Sequence, residues 1–182
     1  WNMMGRDRRG PMNSRAGLLV GGMTTARLIP EEMLLRDRRP RRSRVAIVSA
    51  EEYSEGLENA LLAGLREFHL NLRGKSVLLK PNLVEYIAGI EVNTNPVIVG
   101  AAAEAFLKLG ARSIVVAEGP GHQRDTHLVL AESGLWAQLL RQKIAFVDLN
   151  RDELVRLPTR ATFTGLEDLW LPRTVLETDF VV

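Results

Sequence analysis

The chain predicts an α/β fold of three layers, with a mostly parallel sheet and helices on both faces. Three observations carry that expectation. Short β-branched runs recur at VAIVS, SVLLK, SIVVA and IAFV; helical stretches with apolar residues three and four apart lie between them; glycine or proline punctuates the junctions. Strands alternating with helices of about 10–15 residues require right-handed crossovers, and these build parallel sheets.

Each element has its own signal. Val45–Ser49 is a short apolar run that predicts a buried strand. Ser54 is placed to cap a helix whose apolar face is Leu57, Leu61, Leu65 and Phe68, and Gly74 ends that connection. Ser76–Lys80 predicts a second strand, stopped by Pro81. Pro96 fits the first helical position behind Thr94 or Asn95, and Ile98, Ala102, Ala105 and Leu109 form the expected core stripe. Gly110 follows, where a helix end favours positive φ. Ser113–Ala117 is the third strand and Glu118–Gly121 the turn leaving it. Thr126–Leu140 reads as a helix broken near Gly134, and Ile144–Val147 as a fourth strand ending at Asp148. Beyond it, Glu153–Leu157 and Leu169–Leu171 predict short strands, and Asp179–Val182 one more that is only beginning. A strand met at its start implies that the domain spanning 45–182 is incomplete at its C-terminus.

Composition narrows the function. Among 182 residues, 46% are hydrophobic and 25% charged, as in an ordinary globular core. No apolar run approaches the roughly 18 residues a membrane helix needs, so no membrane association is expected. There is no cysteine, hence no thiolate nucleophile, disulfide or cysteine-held cluster, and a cytoplasmic location fits. The net charge of +2 hides an asymmetry: residues 1–44 carry eleven arginines against four acids, whereas 45–182 carry thirteen basic against eighteen acidic residues. Residues 1–44, with RDRRPRRSR at their end, read as a basic, disordered extension. No aromatic residue interleaves the arginines, so nucleic acid is an unlikely partner.

Open α/β sheets bind ligands beyond the carboxyl ends of their strands. Three polar segments are predicted there. In KPN, Lys80 supplies an ammonium and Asn82 a carboxamide suited to a carboxylate or phosphate. In VNTNP, Thr94 and Asn95 stand at the start of a helix whose positive end favours an anion. In EGPG, Gly119 and Gly121 let backbone approach a ligand, and Glu118 is the candidate acid or base. Asp148 is a further edge candidate. The turn is not a dinucleotide fingerprint, since Arg124 stands where the last glycine of GxGxxG belongs. GKS at Gly74–Ser76 is not a P-loop, because it precedes a strand. His122 and His127 have no companion ligands in sequence, so no metal site is expected.

The order KPNL, TNP before a helix, LGA, VVAEGPG and later VDLN resembles the family called domain of unknown function 362, from about Val45 to the end. The resemblance implies a Rossmann-like fold and a site region at the strand ends, in a family without an assigned reaction. Many relatives carry a ferredoxin-like domain with iron–sulfur clusters, which implies such a domain or protein as a partner of full-length members. The expected function is therefore part of an enzyme that binds a small anionic metabolite at this edge. The alternative is a non-catalytic binding or scaffold module.

Overall fold

The computed structural model describes residues 44–182 apart from 51, 55 and 160–164; the basic extension, Arg44 excepted, lies outside the described residues. Helix α1 (Leu57–Arg66) precedes strand β1 (Ser76–Leu79), α2 (Pro96–Lys108) and β2 (Ser113–Glu118). The paired helices α3 (Thr126–Glu132) and α4 (Leu135–Gln142) lead to β3 (Ala145–Asp148). A hairpin of β4 (Leu154–Pro158) and β5 (Asp168–Pro172), then α5 (Arg173–Glu177), returns the chain to β6 (Phe180–Val181).

The main sheet is wholly parallel, in the order β3-β2-β1-β6, with helices around it: an α/β fold. Two successive crossovers in one direction, through α2 and through α3–α4, put those helices on the same face, where α2 packs against both α1 and α4. The core lies between them and the sheet: Val77, Leu79 and Val116 from strands meet Val99, Ala103, Phe106, Leu135 and Leu139 from helices. Leu78 and Ala117 alternate to the opposite face and are also fully buried, so both faces of the central strands are covered. The hairpin is antiparallel and forms a separate two-stranded sheet, with Arg156 opposite Trp170.

Three local expectations are corrected. Val45–Ser49 forms no strand; Val45 and Ile47 are largely exposed, while Ala46 and Val48 lie against Gly64 of α1. An apolar run becomes a strand only where a ladder partner exists, and β6 occupies the free side of β1. Ser54 does not cap α1 with its side chain; Gly56 holds the cap position, and the Ser54 carbonyl instead accepts the Leu57 N–H at 3.1 Å. In α2 the fully buried side chains are Val99, Ala103, Ala105 and Phe106; of the expected stripe only Ala105 is among them, while Ile98, Ala102 and Leu109 are partly buried and pack against the core from its flank. PVIVGAAAEAFLK is apolar on nearly every side, so its pattern does not single out one face. Gly100 explains the approach of α4: a Cβ there would lie 1.9 Å from Gln138 Nε2.

The junctions follow the sequence closely. Asn95 caps α2 by accepting the Val97 N–H at 2.9 Å, with Pro96 as first helical residue. Gly134, at φ 75°, divides α3 from α4. Gly110 ends α2 at φ 97°, and its carbonyl accepts the Gly74 N–H at 3.1 Å. Any side chain at 110 meets the left-handed penalty, so Gly110→Ala is expected to lose about 1–2 kcal/mol of stability, measured by urea denaturation.

The short strand β6 is fastened at both ends. Lys80 donates its backbone N–H to the Val182 carbonyl at 2.8 Å, and Val182 donates to Leu78 at 2.9 Å. At the other end, Asp179 accepts from Lys75 Nζ at 2.8 Å and from the N–H and hydroxyl of Ser76 at 2.9 and 3.0 Å. The Lys75 ammonium first, then these Ser76 donors, hold its carboxyl well below the usual carboxylate range. An unfolded aspartate takes up its proton near pH 3.9, whereas the folded one resists it. The clamp therefore stabilises fully at neutral pH and loses its contribution as pH falls through the acid range. Asp179→Asn is expected to lower stability at pH 7 and flatten its fall toward pH 3, read from urea midpoints across that range.

Candidate functional site

Parallel register brings the strand ends level. Leu79 pairs with Val116 across β1 and β2, and Glu118 with Asp148 across β2 and β3. The next residue of the β1 segment, Lys80, thus emerges beside the end of β2, and its Nζ donates to Glu118 Oε2. Glu118 is 8% exposed; the Lys80 side chain is half in solvent. Glu118 Oε1 accepts the Gly119 N–H at 2.9 Å, so both carboxylate oxygens are engaged. The ammonium has three donors, and Glu118 takes the one engaged among the described residues.

The KPN and VNTNP loops are tied together by the polar atoms that the sequence marks as ligand candidates. Asn82 donates its N–H to Thr94 Oγ1 at 2.8 Å, accepts the Thr94 N–H at 2.8 Å, and donates Nδ2 to the Val92 carbonyl at 2.8 Å. Between Thr94 and Asn95, only Asn95 caps α2; Thr94 faces the KPN loop. The opening of α2 leaves few amides for an anion. Pro96 has none, Val97 donates to the Asn95 side chain, and Ile98 to the Asn95 carbonyl at 3.1 Å.

Residues that the sequence did not single out complete the rim. Asn93 accepts the Val84 N–H at 2.8 Å and donates to the Glu85 carbonyl at 2.9 Å. Glu85 in turn receives the Arg124 guanidinium, through Nε at 2.9 Å and Nη2 at 2.5 Å. Asn150 donates Nδ2 to the Pro120 carbonyl at 2.9 Å and its own N–H to Asp148 Oδ1 at 2.9 Å. The Gly121 N–H reaches the Val84 carbonyl at 3.2 Å, joining the EGPG turn to the first loop. The signal for Asn93 and Asn150 was their place in VNTNP and VDLN, motifs whose other members drew the attention.

Gly119 is favoured by packing rather than by dihedral angle. A Cβ there would stand 2.5 Å from Asn150 Oδ1. His122 is exposed, and Asp125, not a histidine, organises its neighbourhood by capping α3 through the Leu128 N–H at 3.0 Å. Among the described residues no cluster of three or more His, Cys, Asp or Glu side chains could hold a metal ion, and no helix is long and apolar enough to cross a membrane.

A parallel α/β sheet with a polar rim built from KPN, VNTNP and EGPG defines the class. The profile of the family described as Domain of unknown function (DUF362) matches residues 77–182, and the chain belongs to that family. The match begins at β1, so the segment from Val45 to Ser76, included in the sequence resemblance, falls outside it. No curated protein and no solved structure matches.

Two outcomes follow from this geometry. Lys80→Met strands a nearly buried carboxylate and is expected to cost about 1–3 kcal/mol, measured by denaturant unfolding. Gly119→Ala displaces the Asn150 carboxamide from Pro120 and is expected to cost about 1–2 kcal/mol by the same measurement, with Asn150→Ala partly relieving it in the double variant.

Proposed function

We propose that this domain is part of an enzyme and binds a small anionic metabolite through Lys80 at the strand C-terminal edge. One observation carries the reading: a half-exposed ammonium, anchored by a nearly buried carboxylate, keeps donor capacity at the rim where open α/β sheets take their ligands. Glu118 aims the ammonium and is the acid/base group closest to it. Asn82, Thr94, Asn95, Gly119 and Gly121 shape the loops around that charge. The iron–sulfur link implied by the family enters as a redox partner supplied from another domain or chain, since this chain has no cysteine. The proposal keeps the cytoplasmic location expected from composition.

Titration of the 182-residue chain with inorganic phosphate and with acetate, followed by backbone amide shifts, tests this. Saturable shifts at Lys80 and Gly119 that vanish in Lys80→Met are expected. Shifts confined to other regions, with this rim unmoved, would refute it.

A scaffold reading has its own support. Leu154 and Trp170 share one face of the hairpin and are 53% and 59% exposed, an apolar surface suited to a protein partner. In a complete relative that reading makes Trp170→Ser abolish partner capture while Lys80→Met, once shown to be folded, retains it; the enzyme reading expects Lys80→Met to lose turnover.

A further inference from the structure

The motif VDLN closes β3, and the site proposed at Lys80 gives its Asp148 and Asn150 no part. Its backbone is fixed first. The Leu149 N–H donates to the Glu118 carbonyl at 3.1 Å, which keeps the end of β3 against the end of β2. Asp148 Oδ1 then accepts the Asn150 N–H at 2.9 Å, a turn in which a carboxylate bonds the backbone two residues on. Asn150 is thereby presented to the EGPG turn that leaves β2.

There its carboxamide holds two consecutive residues. Nδ2 donates to the Pro120 carbonyl at 2.9 Å. The same group lies against Gly119, with Oδ1, Cγ and Nδ2 at 2.5, 2.6 and 2.8 Å from the point where a Cβ would stand. Gly119 donates its N–H to Glu118 Oε1 at 2.9 Å, and Glu118 Oε2 accepts from Lys80 Nζ. The Glu118 carboxylate has no further hydrogen-bond partner among the described residues. The path of Gly119 therefore decides where that carboxylate points, and Asn150 decides the path of Gly119.

We infer that Asn150 is a positioning residue for the anion site at Lys80, acting through the EGPG turn and Glu118. This role rests on Lys80 as the partner of the anion, and it gives VDLN its place in that site. The Lys80 side chain is half in solvent and carries a long flexible stem. With its carboxylate free to turn, the ammonium would have to be ordered by each arriving ligand, and binding would weaken accordingly. Asn150 supplies that order beforehand, with no hydrogen bond of its own to Lys80.

The test uses the 182-residue chain, its Asn150→Leu and Asn150→Ala variants, and Gly110→Ala as a control destabilised far from the rim. Each is titrated with acetate and with inorganic phosphate, read from the Lys80 and Gly119 amides, and the Glu118 side-chain carboxyl carbon is recorded without ligand. Asn150→Leu keeps bulk over Gly119 and removes the donor, and neither variant changes the net charge. Asn150 is exposed, so both are expected to fold, as their amide spectra will show. Anion binding about tenfold weaker is expected in both, within the loss that follows removal of an orienting partner at metal sites. The Glu118 carboxyl and Gly119 amide resonances are expected to move in both, while Gly110→Ala keeps the parent affinity and the parent Glu118 resonance. Parent affinity in both Asn150 variants, an unmoved Glu118 resonance, or an equal loss in Gly110→Ala would each overturn the inference and leave the Lys80 site standing. A parent chain that binds neither anion refutes the Lys80 site itself, and the role of Asn150 falls with it.

Discussion

The parallel register of three neighbouring strands governs everything else at the rim. Because Leu79 lies level with Val116, and Glu118 level with Asp148, segments 38 and 30 residues apart in sequence end side by side. Parallel pairing of this kind is set by the apolar runs and their crossovers, not by the polar residues that benefit. Lys80 and Glu118 meet as a consequence: the core dictates the height of each strand, and the first charged residue beyond each apolar run faces the other.

The same geometry changes what the polar residues do. A lysine at the end of an apolar strand looks, in isolation, like a free cation awaiting an anion. In the fold it has a carboxylate for company, and the carboxylate is the more buried partner. Likewise Asn82, Thr94 and Asn93 satisfy backbone groups of loops that have no ladder to satisfy them. Rigidity of the rim and polarity of the rim are thus the same atoms serving one end.

Strand and helix order was legible in the sequence because local signals agreed: Pro96 behind Asn95, Gly110 after LGA, and Gly134 within an otherwise helical stretch. Val45–Ser49 failed because strand formation depends on a partner, which no local window contains. The core stripe of α2 was only partly legible because a helix covered by sheet, α1 and α4 has little polar side to mark its orientation. At the site, the three loops were legible from their composition, but which atoms bond to which was not. Thr94 and Asn95 both stand before Pro96 as candidate caps; only the path of the KPN loop decides that Thr94 joins the loops and Asn95 starts the helix.

The contact of α2 with α4 carries an evolutionary consequence. Space beside Gly100 is already filled by the Gln138 carboxamide, so the two positions share a single volume. Among descendants of this sequence, a methyl gained at 100 displaces the flexible end of Gln138 or is matched by a shorter residue there. Residue pairs that drift together should therefore include 100 with 138.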